Sequence, residues 1–115
     1  MVKTKNREED RARAQIVTSL VATALNVPFA QVNSDSRRKP ESAARAIVYY
    51  IMRCAFGMSL GRIAAALGRD RSTVGIACHR LEDRRDDPDF DRWLASLEQA
   101  AVSLPLPICQ AESAA

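Results

Sequence analysis

The stretch that most limits what this chain can become is Ser59–Leu81, Ser-Leu-Gly-Arg-Ile-Ala-Ala-Ala-Leu-Gly-Arg-Asp-Arg-Ser-Thr-Val-Gly-Ile-Ala-Cys-His-Arg-Leu. It reads as two short helices meeting at Gly68. Ser59 can cap the first, Leu60–Leu67, and the second starts near Arg71 or Ser72 and runs to about Asp83. Helices joined this tightly must cross at close range, so the first needs a small residue at the crossing, which Ala64 supplies. The turn needs a residue free to take positive φ, which Gly68 supplies. Val74, Ala77, Cys78 and Leu81 then face back toward Ile63 and Leu67, closing a small shared core. The pattern over 59–82 is that of a helix-turn-helix, a unit able to lay its second helix in the major groove of duplex DNA, N-terminal residues first. A plain helical hairpin would satisfy the same packing. The residues left over on the second helix and its approach are Arg69, Asp70, Arg71, Ser72, Thr73, Ile76 and Arg80, an inventory suited to reading rather than to a core.

Charge separates the two readings. Residues 1–80 carry 14 Lys and Arg against 6 Asp and Glu, a net of +8, whereas residues 81–115 carry 3 against 8, a net of −5. The densest basic stretch is 36–80, where nine Lys and Arg are opposed only by Glu41 and Asp70. A lopsided basic middle is the footprint of a phosphate-binding surface.

The flanks read as helices too. Asn6, with Glu9 in capping-box spacing, can cap a first helix whose N-terminal end Glu8, Glu9 and Asp10 suit. Val17, Leu20 and Ala24 give it an apolar face, and Val27-Pro28 ends it. Phe29–Val32 is a single turn packing Phe29 and Val32 inward. A polar loop, Asn33–Lys39, then carries the basic cluster Arg37-Arg38-Lys39, either a solvated loop or a flexible arm able to enter a minor groove. Pro40 and Glu41 open a long helix with a buried stripe of Ile47, Ile51, Cys54 and Met58, stopped by Gly57. Asp87 and Pro88 start a last helix with a stripe of Phe90, Leu94, Leu97 and Ala101. The expected fold is all-α, a compact bundle of five to six helices. One domain over 14–102 is expected, preceded by a polar segment, 1–13, that holds the start of the first helix, and followed by a disordered tail, 103–115.

Other chemistries find little support. Cys54, Cys78 and Cys109 form no CxxC spacing, and His79, the one histidine, cannot complete a zinc site, so no metal is expected. Cys54 and Cys78 read as reduced, helix-packed thiols of a cytoplasmic protein. Met1–Arg13 is too charged for a secretory signal, and no apolar run is long enough to span a membrane. No GxxxxGK[ST] phosphate loop, paired acids or Ser-His-Asp set is present, so neither nucleotide binding nor enzymatic activity is expected, and no cofactor.

At Arg69-Asp70-Arg71-Ser72-Thr73-Val74, followed by Ala77-Cys78-His79-Arg80-Leu81-Glu82 and preceded by Ser59-Leu60-x-x-Ile63, the sequence resembles the C-terminal DNA-binding domain of the bacterial chromosomal replication initiator DnaA. The resemblance covers about residues 14–101. It implies a Trp-repressor-like helical fold and, position by position, a set of roles. Arg37 matches an arginine that enters the minor groove, Arg45 one on the next helix that meets backbone or bases, and Arg53 a lysine that reaches guanine. Asp70, Arg71, Ser72 and Thr73 match the base-reading signature, and Arg80 a phosphate-contacting lysine. The candidate DNA-facing set is Arg37, Arg38, Lys39, Arg45, Arg53, Ser59, Leu60, Gly61, Arg69, Asp70, Arg71, Ser72, Thr73 and Arg80. Departures fall inside it: Arg71 stands where the family has histidine, Ser72 where it has threonine, Gly61 where it has proline, and the turn holds one glycine instead of two. Asp70 can cap the helix, accept from cytosine N4, or both, and Ser72 and Thr73 can meet phosphate or a thymine methyl. His79 sits too late on the helix to read.

The leading expectation is a monomeric, nucleoid-associated protein that binds an initiator-box-like site in duplex DNA and acts in replication initiation or its regulation. It would be a stand-alone relative of the domain, without the ATPase. Rivals are a transcription regulator with an unrelated operator, and an antagonist that contacts the replication machinery through its acidic last helix.

Overall fold

The computed structural model describes residues 2–106, and among these residues it forms six helices and no strand: α1 (Val2–Leu25), α2 (Phe29–Val32), α3 (Lys39–Cys54), α4 (Leu60–Leu67), α5 (Arg71–Arg84) and α6 (Pro88–Ser103). The expected disordered tail falls largely on 107–115, outside the described residues. No described helix is long and apolar enough to cross a membrane.

Six consecutive residues of α3, Ile47–Met52, are all buried. A helix that hides every side must be wrapped by others, and α3 touches each of the remaining five. The expected stripe held at Ile47, Ile51 and Met58, but Cys54 is exposed because α3 ends there and its last turn emerges from the bundle. Burial pushes the Cys78 thiol up to about 11 and raises Cys54 as well, so both stay protonated near neutral pH.

Helix α1 starts earlier than the Asn6 cap predicts. Lys3–Glu9 holds no glycine or proline to stop the helix running back to Val2, so Glu8, Glu9 and Asp10 lie inside it rather than at its end. Asp10 instead is buried and receives two bonds from Arg62 of α4, at 2.7 and 3.1 Å. The buried face of α1 runs Asp10, Ala14, Val17, Thr18, Val21, Ala22, and Ala24 is exposed. Of the expected face, Val17 is buried and Leu20 packs partly against the core; periodicity did not extend to the rest of the buried face because two of its members are polar. The helix is closed by Asn26 at φ 56°, with Val27 N–H donating to the Ala22 carbonyl at 2.9 Å; the stop therefore precedes Pro28. In α2, Val32 is buried as expected, whereas Phe29 remains 39% exposed.

The helix-turn-helix forms as its sequence requires. Ser59 Oγ accepts from Arg62 N–H at 3.2 Å. Gly68 takes φ 65° and Arg69 N–H returns to the Ala64 carbonyl at 2.9 Å, closing α4 through a left-handed residue. A Cβ built on Gly68 or on Gly61 meets nothing within 4 Å. Gly68→Ala should therefore cost only the left-handed conformation, about 1 kcal/mol, while Gly61→Ala, in ordinary helix, should stabilise by about 0.5 kcal/mol or more. Urea unfolding of both variants tests this; shifts of the same sign would contradict the assignment of the turn.

Helix α6 begins with Asp87, which accepts from Asp89 N–H at 3.0 Å, ahead of Pro88. Leu94, Leu97 and Ala101 are buried, and Phe90 sits half-buried under the Arg84 guanidinium, 4.0 Å from its ring centre. Arg85 at the end of α5 donates to Glu98 of α6 at 3.1 Å and to Asp91, and Tyr50 of α3 donates to Glu82. Part of the acidic C-terminal half is thus used to fasten α3, α5 and α6 together.

Candidate nucleic-acid interface

The surface of α5 divides cleanly. Val74 and Leu81 are buried and Ala77 and Cys78 partly so, all toward α3 and α4. Arg71, Ser72, Thr73, Ile76, His79 and Arg80 are exposed. At Gly75, a Cβ would sit 3.4 Å from Leu60 Cδ1, close to ordinary contact with the flexible end of that side chain. Ala64, to which the sequence assigned the close crossing, is buried as expected. Ser59 and Gly61 are exposed and Leu60 half-buried at the start of α4.

Asp70 occupies the N-cap position, yet its carboxylate makes no capping hydrogen bond. Capping by its side chain, one of the two expected uses, is not made here, and the exposed carboxylate remains available at the front of α5.

The nine basic residues of 36–80 sort into two groups. Arg62 is bound to Asp10. Arg45, expected to face DNA, points instead into the Val32–Ser36 loop: Nη1 donates to the carbonyls of Ser34 (2.9 Å) and Val32 (3.3 Å), and Nη2 to that of Ser36. Arg69 converges on the same loop from the other side, with Nη2 to the Ser34 and Asn33 carbonyls (2.7 and 3.0 Å) and Nη1 to Asp35 (2.7 Å). Both guanidiniums face the buried Tyr49 phenol, which burial raises and they partly lower. Arg53 donates to the Met58 carbonyl at 3.0 Å, holding the chain at the Gly57 turn.

Arg37, Lys39, Arg71 and Arg80, by contrast, are exposed and make no ion pair or side-chain hydrogen bond among the described residues. Arg38 is nearly so, with Nε 3.8 Å from the Glu41 carboxylate. Glu41 itself is buried and accepts from Ser36 Oγ at 2.7 Å, while Ser36 Oγ accepts from Arg38 N–H at 3.2 Å. The expected flexible arm is therefore an anchored loop. Its carbonyls converge on two arginines and its hydroxyl on a buried carboxylate, while Arg37 and Lys39 stay exposed. The polar run Asn33–Ser36 was visible in the sequence, but which distant arginines its carbonyls would recruit was not.

Arg69 gives the arrangement its geometry. It is the residue that closes α4 with its N–H and precedes α5 by two positions, and its side chain holds the loop that carries Arg37–Lys39. A basic loop and the first turn of an exposed helix are thereby fixed beside one another.

Residues 3–81 match the family described as the bacterial DnaA protein helix-turn-helix. The chain belongs to this DnaA C-terminal family. It is 36% identical over 93 residues to the chromosomal replication initiator protein DnaA of Gloeobacter violaceus, covering 76% of this chain and 21% of that protein. With the DnaA of Crocosphaera subtropica it is 33% identical over 92 residues, 78% of this chain and 20% of that one. The chain thus spans about a fifth of the length of these DnaA relatives. A crystal structure of a DNA replication initiation factor superposes with TM-score 0.77 at 29% identity, over 85% of this chain and 30% of that one. A replication initiator DnaA bound to AMPPCP and single-stranded DNA superposes with TM-score 0.72 at 30% identity, over 87% and 30%. The DnaA match takes in α1, the anchored loop and both helices of the helix-turn-helix and stops at Leu81, before α6. Membership in this family supports DNA binding.

Proposed function

We propose that this chain is a non-enzymatic, sequence-specific reader of duplex DNA that acts on the bacterial nucleoid in replication initiation or its regulation. Helix α5 enters the major groove with Asp70, Arg71, Ser72 and Thr73 toward base edges, and Arg80 meets phosphate. The loop Arg37–Lys39 reaches the adjacent minor groove. The observation that carries the reading is the Arg69 fastening, which holds a set of unpaired cations next to the exposed start of α5. A helix-turn-helix that only packed in a bundle would have no use for it. Arg45 and Arg69 act in this reading as positioning residues, which the loop geometry supports over direct contact.

Selection of binding sites from random duplexes at stated salt tests the proposal, followed by competition with the selected and scrambled sites. Arg71→Ala or Thr73→Ala should lose about 1–3 kcal/mol on the selected site and relax choice at one base pair. Arg37→Ala should hurt A·T-flanked sites most, because a minor-groove arginine senses groove width. If the first two variants, shown folded by circular dichroism, keep full preference, α5 is not the reader. Arg71 and Ser72 depart from the family signature, so the selected site should differ from a TTATCCACA-type box at the pairs they face; an unrelated site would favour the transcription-regulator reading instead.

A further inference from the structure

Among the described residues, Ile76 is the most exposed large apolar side chain, 55% accessible, ahead of Val102, Leu104 and Phe29. It is also the one that lies within the polar face of α5. Ser72 is one turn before it and Arg80 one turn after, a single i, i+4, i+8 stripe, with Thr73 three residues before. Its neighbours in sequence are accounted for: Gly75 approaches Leu60, and Ala77 packs against the core. Nothing in the fold accounts for Ile76. A branched side chain is no aid to a helix, and its apolar area is left in water.

We propose that Ile76 is a specificity-determining residue that contacts the C5-methyl group of a pyrimidine in the major groove. This rests on the reading of α5 as the major-groove helix. Thymine presents that methyl at the groove edge, and 5-methylcytosine carries the same group at the same ring position. An aliphatic side chain cannot tell the two bases apart, so binding responds to the methyl and not only to the base pair. One helical turn is about 5.4 Å and one base step about 3.4 Å. The methylated pyrimidine therefore lies one to two base pairs from the pair facing Ser72. The contact adds readout of a methyl group to the base contacts proposed for Ser72 and Thr73.

The experiment uses the full chain and the duplex recovered by site selection. Each thymine is replaced in turn by deoxyuridine and each cytosine by 5-methylcytosine, and affinities are measured for the native protein, Ile76→Ala and Ile76→Val. At one position the methyl should tighten native binding about fourfold, the value of one buried methyl-sized group. The response should vanish in Ile76→Ala and persist in Ile76→Val, all three having the same helix content. The proposal is overturned if no position responds to the methyl, or if Ile76→Ala responds as the native protein does, while site preference is intact. Failure to select any sequence would overturn the reading of α5 itself, and this proposal with it.

Discussion

Raising monovalent salt from 50 to 200 mM is expected to weaken binding to the selected duplex by about a thousandfold, a log–log slope near −5. Counting basic residues overstates the number of charges available. Of the nine in 36–80, Arg45, Arg53, Arg62 and Arg69 are bound to carbonyls or carboxylates of their own chain, leaving Arg37, Arg38, Lys39, Arg71 and Arg80. Each phosphate neutralised by one of them releases about 0.9 of a counterion, so these five contacts set the slope. Fluorescence anisotropy across a salt series measures it directly. Arg80→Ala should reduce the slope by about one. Arg62→Ala, whose partner is Asp10, should leave the slope unchanged even if it alters stability. A slope shallower than about −2 would mean that these cations do not lie on phosphates, and would return the acidic last helix to consideration as the interacting surface.

The largest effect on stability should come from Ile51→Ala. Ile51 is fully buried in the middle of α3, the helix on which every other helix packs. Deleting a buried aliphatic side chain to alanine costs about 2–5 kcal/mol. Since domains of this size are stable by about 5–15 kcal/mol in total, the midpoint should drop by at least about 10 °C. Cys54→Ala, one turn further along α3 but exposed, should stay within about 0.5 kcal/mol. Thermal melts of the two variants decide the matter: similar losses would mean that Ile51 is no more deeply buried than Cys54. The variant also separates folding from reading, because no exposed residue of α5 is touched; at a temperature where it is folded it should keep the native site preference.

Much of this architecture was legible because it depends on local demands. Gly68 must be left-handed, Ser59 and Asp87 must accept from the helix starts they precede, and the chain between them holds few alternatives. What escaped were features joining residues far apart in sequence. Asp10 looked like a charge suited to a helix end, and became the buried partner of a residue 52 positions away. Arg45 and Arg69 looked like two more cations for phosphate, and became the donors for a loop's carbonyls. A guanidinium's fate depends on which acceptors the fold brings within reach, and no local pattern records that. Ile76 was legible as a member of the exposed face, though its prominence there emerged only with the burial of its neighbours.

The Arg69 fastening also bears on how such a reader can be altered. The turn residue that fixes the spacing of α4 and α5 is the same one that fixes the loop. In the proposed reading, a single mechanical part therefore addresses both grooves. Transplanting α5 alone into a homologue would carry the base-reading side chains without the seat of the loop, whose acceptors at Asn33 and Ser34 lie elsewhere in the chain. Because Arg45 and Glu41 hold the same loop, the smallest unit that can be exchanged, by recombination or by design, is residues 32–45 together with 69–80, and a change in the length of the turn has to be matched in the loop.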